Sequence, residues 1–169
     1  IAGHLGISSK SVQRYIQCVE LSYQIICRKA WSRNKSKRLV KSTKIHYLDT
    51  GVIYAVLQKT GGMTGNEYES FVISEIYKQL KNSDLSVSFY HLRTFDGREI
   101  DLLLEFPEGY VVFEIKMSEN INKRDAKNLR NLNDLLDKPL LQSFILSNDP
   151  ETKYFEDNII ALHAGYFLC

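Results

Sequence analysis

Long apolar runs are missing from the chain. One of the longest, Ile100 with Leu102 to Leu104, is interrupted by Asp101. That is far short of the roughly 20 residues a membrane-spanning helix needs, so no membrane partner is expected. Cysteine is scarce: Cys18, Cys27 and Cys169 are an odd number at spacings that match no zinc knuckle. This argues against a disulfide frame and for reduced thiols in a cytoplasmic protein. His4, His46, His91 and His163 are scattered, without the clustering of a histidine metal site. A phosphate cradle is absent too, because Thr60-Gly61-Gly62-Met63-Thr64-Gly65 lacks the lysine it would need and reads as a linker. There are no repeats or low-complexity tracts. The chain opens on Ile1, in what reads as the middle of a motif, so it is expected to be a fragment of a longer protein.

What is present is ordinary globular composition: 169 residues, 44% hydrophobic and 25% charged. That suffices for one full domain and a smaller one. The net charge of +2 hides an uneven distribution, since residues 21–48 hold eight Lys or Arg and no acid, leaving −6 for the rest. Arg28, Lys29, Arg33, Lys35, Lys37, Arg38, Lys41 and Lys44 flank Trp31. This mixture suits a phosphate backbone with one aromatic for stacking. The competing reading is a solvated loop whose charges pair with an acidic neighbour.

Residues 1–19 read as helix, tight turn at Gly6 and second helix, with Ser8 or Ser9 as cap and Val12, Tyr15, Ile16 and Val19 at 3/4 spacing. Lys10 and Arg14, with Ser9, Ser11 and Gln13, lie on the open side, where they could reach a DNA groove. A helix-turn-helix that only packs against its neighbours is the equal alternative. Residues 21–26 suggest a wing strand, 44–48 another strand and 52–58 a short helix. After the glycine linker the pattern predicts a helix over 66–81, strands over 86–93, 99–106 and 110–117, a charged helix over 123–136, and strands over 140–146 and 159–163. The order is αβββαβ, which divides the chain into a winged-helix and basic connector (1–48) and an α/β domain (49–169).

Alternation over 99–105 places Ile100, Leu102 and Leu104 on one face and Asp101 and Leu103 on the other. Over 110–117 it separates Val111, Phe113, Ile115 and Met117 from Val112, Glu114 and Lys116. The turn Phe106-Pro107-Glu108-Gly109 makes these strands a hairpin. Asp101 then faces either Glu114 or Lys116, according to where the turn centres. Carboxylates about 5 Å apart across a ladder repel one another unless something positive lies between them. Mg²⁺ or Mn²⁺ would supply that charge, held by Asp101, Glu114 and the backbone carbonyl of Ile115, with positions left open for phosphate and water. Lys116 would serve the water. On the preceding helix Glu69 falls inside the apolar arc of Tyr68, Val72, Ile73, Ile76 and Leu80. Glu75, at the arc's edge, competes as the inward carboxylate.

Glu69, Asp101, Glu114 and Lys116 resemble the ordered acidic pattern of restriction-endonuclease-like nucleases. The stretches from Lys37-Arg38 to Lys44-Ile45-His46-Tyr47-Leu48-Asp49-Thr50-Gly51, Glu69-Ser70-Phe71-Val72, and Arg93-Thr94 to Glu99-Ile100-Asp101 resemble the C-terminal region of bacterial and archaeal AAA-type ATPases. In that group a P-loop ATPase comes first, a winged helix next and a nuclease-like domain last. The resemblance implies a restriction-endonuclease-like αβββαβ core behind a winged-helix segment, with ATP bound only in the parent's preceding domain. It implies Glu69, Asp101, Glu114 and Lys116 as catalytic residues, a divalent metal, and DNA and the parent's ATPase domain as partners, with a homo-oligomer left open. The rival expectations are a catalytically silent domain that binds nucleic acid or protein to regulate the ATPase, and a regulator whose helix-turn-helix does the work.

Overall fold

The computed structural model describes residues 2–32 and 42–169. Arg33, Lys35, Lys37, Arg38 and Lys41 of the basic run lie outside the described residues. At the N-terminal end, α1 (Ala2–Leu5) turns at Gly6, whose φ of +61° suits glycine, into α2 (Ser9–Leu21). Ser8 caps α2 by accepting the N–H of Ser11 at 3.0 Å. The expected wing strand begins later than its β-formers suggest, because α2 runs to Leu21 and the chain reverses through Tyr23 at a φ of 56°. Strand β1 (Ile25–Ala30) then pairs antiparallel with β2 (Lys44–Tyr47).

Asp49 caps α3 (Thr50–Val56) through the N–H of Gly51 at 2.7 Å. Thr64 and Glu67 form a reciprocal capping box that starts α4 (Gly65–Lys81). The remaining elements are β3 (Ser88–Arg93), β4 (Glu99–Glu105), β5 (Tyr110–Lys116), β6 (Leu140–Ser147), β7 (Lys153–Phe155), β8 (Ile159–His163) and α5 (Ala164–Leu168).

The fold is mixed α/β, built on one sheet in the order β2-β1-β3-β4-β5-β6-β8-β7. The strands from β3 to β5 are antiparallel neighbours, while β6 runs parallel to both β5 and β8. Strand β1 lies parallel to β3, with Lys29 opposite Tyr90, so the N-terminal hairpin extends the sheet. One face is covered by α4, whose Tyr68, Val72, Ile73 and Ile76 pack on Leu102, Leu104, Phe113 and Ile115. Burying each of these aliphatic side chains contributes on the order of 2 kcal/mol. The other face holds Trp31, Ile100, Leu103, Tyr110 and Val112 under Ala126, Leu129 and Leu132.

That second cover corrects an expectation. Residues 123–136 form turns with a single turn of 3-10 helix, Lys127–Leu129, rather than a charged helix. Asp125 receives the N–H of Asn122, and Asn131 adopts a φ of 51°, so polar side chains fix turns where charge spacing suggested a helix. Trp31 is corrected as well. It is buried, with its indole N–H donating to the Tyr110 hydroxyl at 3.2 Å, and offers no stacking surface. No helix among the described residues is long and apolar enough to cross a membrane.

Candidate active site

The sheet is irregular where β4 lies against β3, and the acidic residues gather there. The β4–β5 ladder pairs Leu102 with Phe113 and continues through Glu105 with Tyr110. This is the register that brings Asp101 abreast of Glu114 rather than Lys116. The recorded pairing stops at Leu102, and on the other side the β3–β4 register shifts between Tyr90 and Leu92. Strict alternation therefore fails: Ile100 packs with Leu103 on one face while Leu102 and Leu104 pack on the other. A β-bulge accounts for this, since an extra residue reverses the side-chain order and frees backbone groups from the ladder.

Two backbone groups at the break find partners. The Asp101 carboxylate accepts the N–H of Ile115 at 2.8 Å, and the Asp101 carbonyl accepts from the Arg28 guanidinium. Arg28 also donates to the Tyr90 carbonyl at 3.4 Å, contacts His46 Nε2, and lies 3.6 Å from Glu69 Oε1. Guanidinium nitrogens only donate, so His46 Nε2 accepts, and its Nδ1–H donates to Ser70 Oγ at 2.8 Å. Burial, with the charges of Arg28, Lys44 and His91, lowers the His46 pKa to about 2 and keeps the ring neutral. Arg28 is 1% exposed, so the grouping of this residue with phosphate-facing cations is corrected: its charge is spent inside the protein. Lys10, Arg14 and Lys29 remain exposed.

The four residues singled out in sequence do not share equal surroundings. Glu114 is 2% exposed; its Oε1 accepts from Lys116 at 2.7 Å and from Asn128 at 3.4 Å, whereas its Oε2 is buried with no hydrogen-bond partner among the described residues. Burial raises the Glu114 pKa. Asp101 is pushed up to about 7 by burial and by the nearby charges of Glu114 and Glu69. Glu69 sits on the sheet-facing side of α4, 3.2 Å from Lys44 Nζ. Glu75 instead pairs with Lys78 along its own helix, on the exposed side.

Sequence reasoning assigned no site role to His46, Ser70 or Glu99, and placed Lys44 only in the basic run suited to a phosphate backbone. Lys44 Nζ lies 2.5 Å from Glu99 Oε1 as well as near Glu69, which makes it the hub of this half of the cluster. The available signal was the polar alternation of Lys44 and His46 along one strand face.

Two carboxylates with raised pKa values, one with an orphaned oxygen, are hard oxygen donors that fit a divalent cation. The fit is limited to a small donor set: among the described residues no group of three or more His, Cys, Asp or Glu is arranged to hold a metal ion. Asp101 and Glu114, with a backbone carbonyl, are such a set.

Residues 64–167 match the family described as a domain of unknown function, DUF4143. Residues 1–62 match a second domain of unknown function, DUF8612. The chain is also similar to an uncharacterized protein of Mycobacterium tuberculosis and to one of Mycobacterium bovis. Each is 26% identical over 123 residues, a match covering 69% of this chain and 27% of the relative, so the aligned region spans about a quarter of those proteins. No solved structure matches.

Proposed function

We propose, for a chain that belongs to the DUF4143 family, a metal-dependent phosphodiesterase site acting on DNA, in a fold of restriction-endonuclease type. The observation that carries this reading is the buried Oε2 of Glu114, unpartnered among the described residues, beside Asp101, with Lys116 on the other oxygen. Asp101 and Glu114, with the carbonyl of Ile115, would hold Mg²⁺ or Mn²⁺. Such an ion, when bound, supplies Lewis acidity to a phosphodiester. Lys116 orients the attacking water and offsets charge developing on the phosphate. Asn128 steadies the Glu114 carboxylate, and the Ile115 N–H fixes Asp101. Lys10 and Arg14 on exposed α2 supply further contacts to the nucleic acid backbone. The parent is a cytoplasmic AAA-type ATPase whose ATP site lies in a preceding domain. This agrees with an aligned region that spans only a part of the curated relatives.

Incubation of the protein with plasmid DNA and Mg²⁺ or Mn²⁺ tests this. Nicking or cleavage is expected, with Asp101→Ala and Lys116→Ala each reducing it at least 100-fold. Cleavage that survives either change removes the reading.

A second reading is a silent domain that binds nucleic acid or protein to regulate the ATPase. It is favoured by Lys116, which already places a cation on Glu114, and by the small donor set. It predicts DNA binding indifferent to chelator, and a sharp loss of binding on chelation removes it.

A further inference from the structure

Glu69 and Glu114 border the same break in the sheet but are neutralised differently. Lys44 Nζ lies 3.2 Å from Glu69 Oε1, and Arg28 Nη2 lies 3.6 Å from the same oxygen. Lys44 also holds Glu99 at 2.5 Å, which fixes the ammonium between two carboxylates of different elements. Glu114 keeps one oxygen buried and without a hydrogen-bond partner among the described residues. Both cations that hold Glu69 arrive on the β1–β2 hairpin, where Arg28 is opposite Lys44 in the ladder.

Charge sets a limit on what else can enter. Five carboxylates, Glu69, Glu99, Asp101, Glu114 and Asp125, the last acting on Lys116, face Arg28, Lys44 and Lys116, with Arg93 3.9 Å from Glu99 at the exposed rim. At most two units of negative charge are left for bound ions. With Arg93 counted, one divalent ion leaves a small positive excess that a substrate phosphate matches. A second would add two more units of positive charge in a partly desolvated site, where like charges interact strongly.

We propose that Lys44 and Arg28 hold Glu69 as their own counterion, so that the site takes one divalent cation, on Asp101 and Glu114, rather than two. This rests on the metal-site reading above and assigns the hairpin a task in it, to keep the helical glutamate away from the ion.

Titration of the full chain with Mn²⁺, by calorimetry and by electron paramagnetic resonance of the free ion, decides the matter. One ion per chain is expected. Glu69→Gln should keep it within about threefold of the parent affinity, while Asp101→Asn weakens it at least tenfold. Lys44→Met, which leaves Glu69 with the more distant Arg28 alone, should add a second ion or tighten the first at least tenfold. Two ions on the parent, or a tenfold loss in Glu69→Gln, overturns the proposal while leaving the metal site standing. Binding that is absent, or unchanged in Asp101→Asn, overturns the metal site and this proposal together. If Glu69→Gln does not fold by circular dichroism, Lys44→Met decides alone, and an unchanged single site of unchanged affinity overturns it.

Discussion

His91 is buried on β3, with neither ring nitrogen hydrogen-bonded among the described residues, and its pKa is lowered to about 4 by burial and by the charges of Arg28 and Lys44. In the unfolded chain it titrates near 6.5. Between those values the unfolded state binds the extra proton, so the stability present above pH 6.5 is lost as pH falls toward 4. Each unit below 6.5 costs about 1.4 kcal/mol for such a group. Asp101, raised to about 7, works in the opposite direction, so the useful comparison is parent against variant. His91→Leu should lose about 1 kcal/mol less than the parent between pH 7.5 and 5.5 in urea unfolding; an equal loss would show that His91 is not the acid-sensitive group. At this scale the sequence was informative about acids and misleading about cations. Glu69 was legible because a carboxylate on an apolar face is conspicuous, and Glu114 because the hairpin can set it opposite Asp101. The fate of Arg28 was hidden because β1 pairs with β3 across some sixty residues, and no local count of charge contains that pairing.

Gly109 ends the β4–β5 turn against the backbone of the segment leading into β6. A Cβ built there would stand 2.3 Å from the carbonyl oxygen of Pro139 and 2.9 Å from Leu141 Cγ. That carbonyl also accepts the N–H of Tyr110 at 2.8 Å, so moving it breaks a bond at the start of β5. Gly109→Ala should therefore destabilise the protein by about 1–3 kcal/mol, read as a lowered urea midpoint at unchanged slope. A midpoint equal to the parent's would mean that the turn relaxes freely. The turn was readable as a hairpin signal, and α4 was readable from its apolar arc, because both are written within a few residues. Strand β7 and helix α5 were not foreseen, being three and five residues long. The bulge at Asp101 was also beyond reach, since alternation describes a regular strand and the departure follows from how three strands and a buried arginine fit together.

The N-terminal hairpin and the rest of the sheet share one site and one core. Arg28, Lys44 and His46 belong to the segment matched by one family, and Glu69, Ser70, Glu99 and Asp101 to the segment matched by the other. Removing Arg28 would leave the Asp101 carbonyl without its donor and Glu69 with one cation fewer, a change of the kind that costs about 3–5 kcal/mol when a buried charge loses its partner. Trp31, the chain's one tryptophan, follows β1 and stands edge-on to Tyr110 of β5, ring centroids 5.8 Å apart. Its fluorescence thus reports on the seam between the two segments, while far-ultraviolet circular dichroism reports on the whole. If the seam is part of a single cooperative unit, the two signals trace one urea transition, in the parent and, at a lower midpoint, in Arg28→Ala. A fluorescence change that precedes the loss of secondary structure would show a hairpin that detaches while the remaining sheet stays folded. Glu69 would then be released from Arg28 and Lys44 in a populated state, and the charge limit on the site would hold only while the seam is closed.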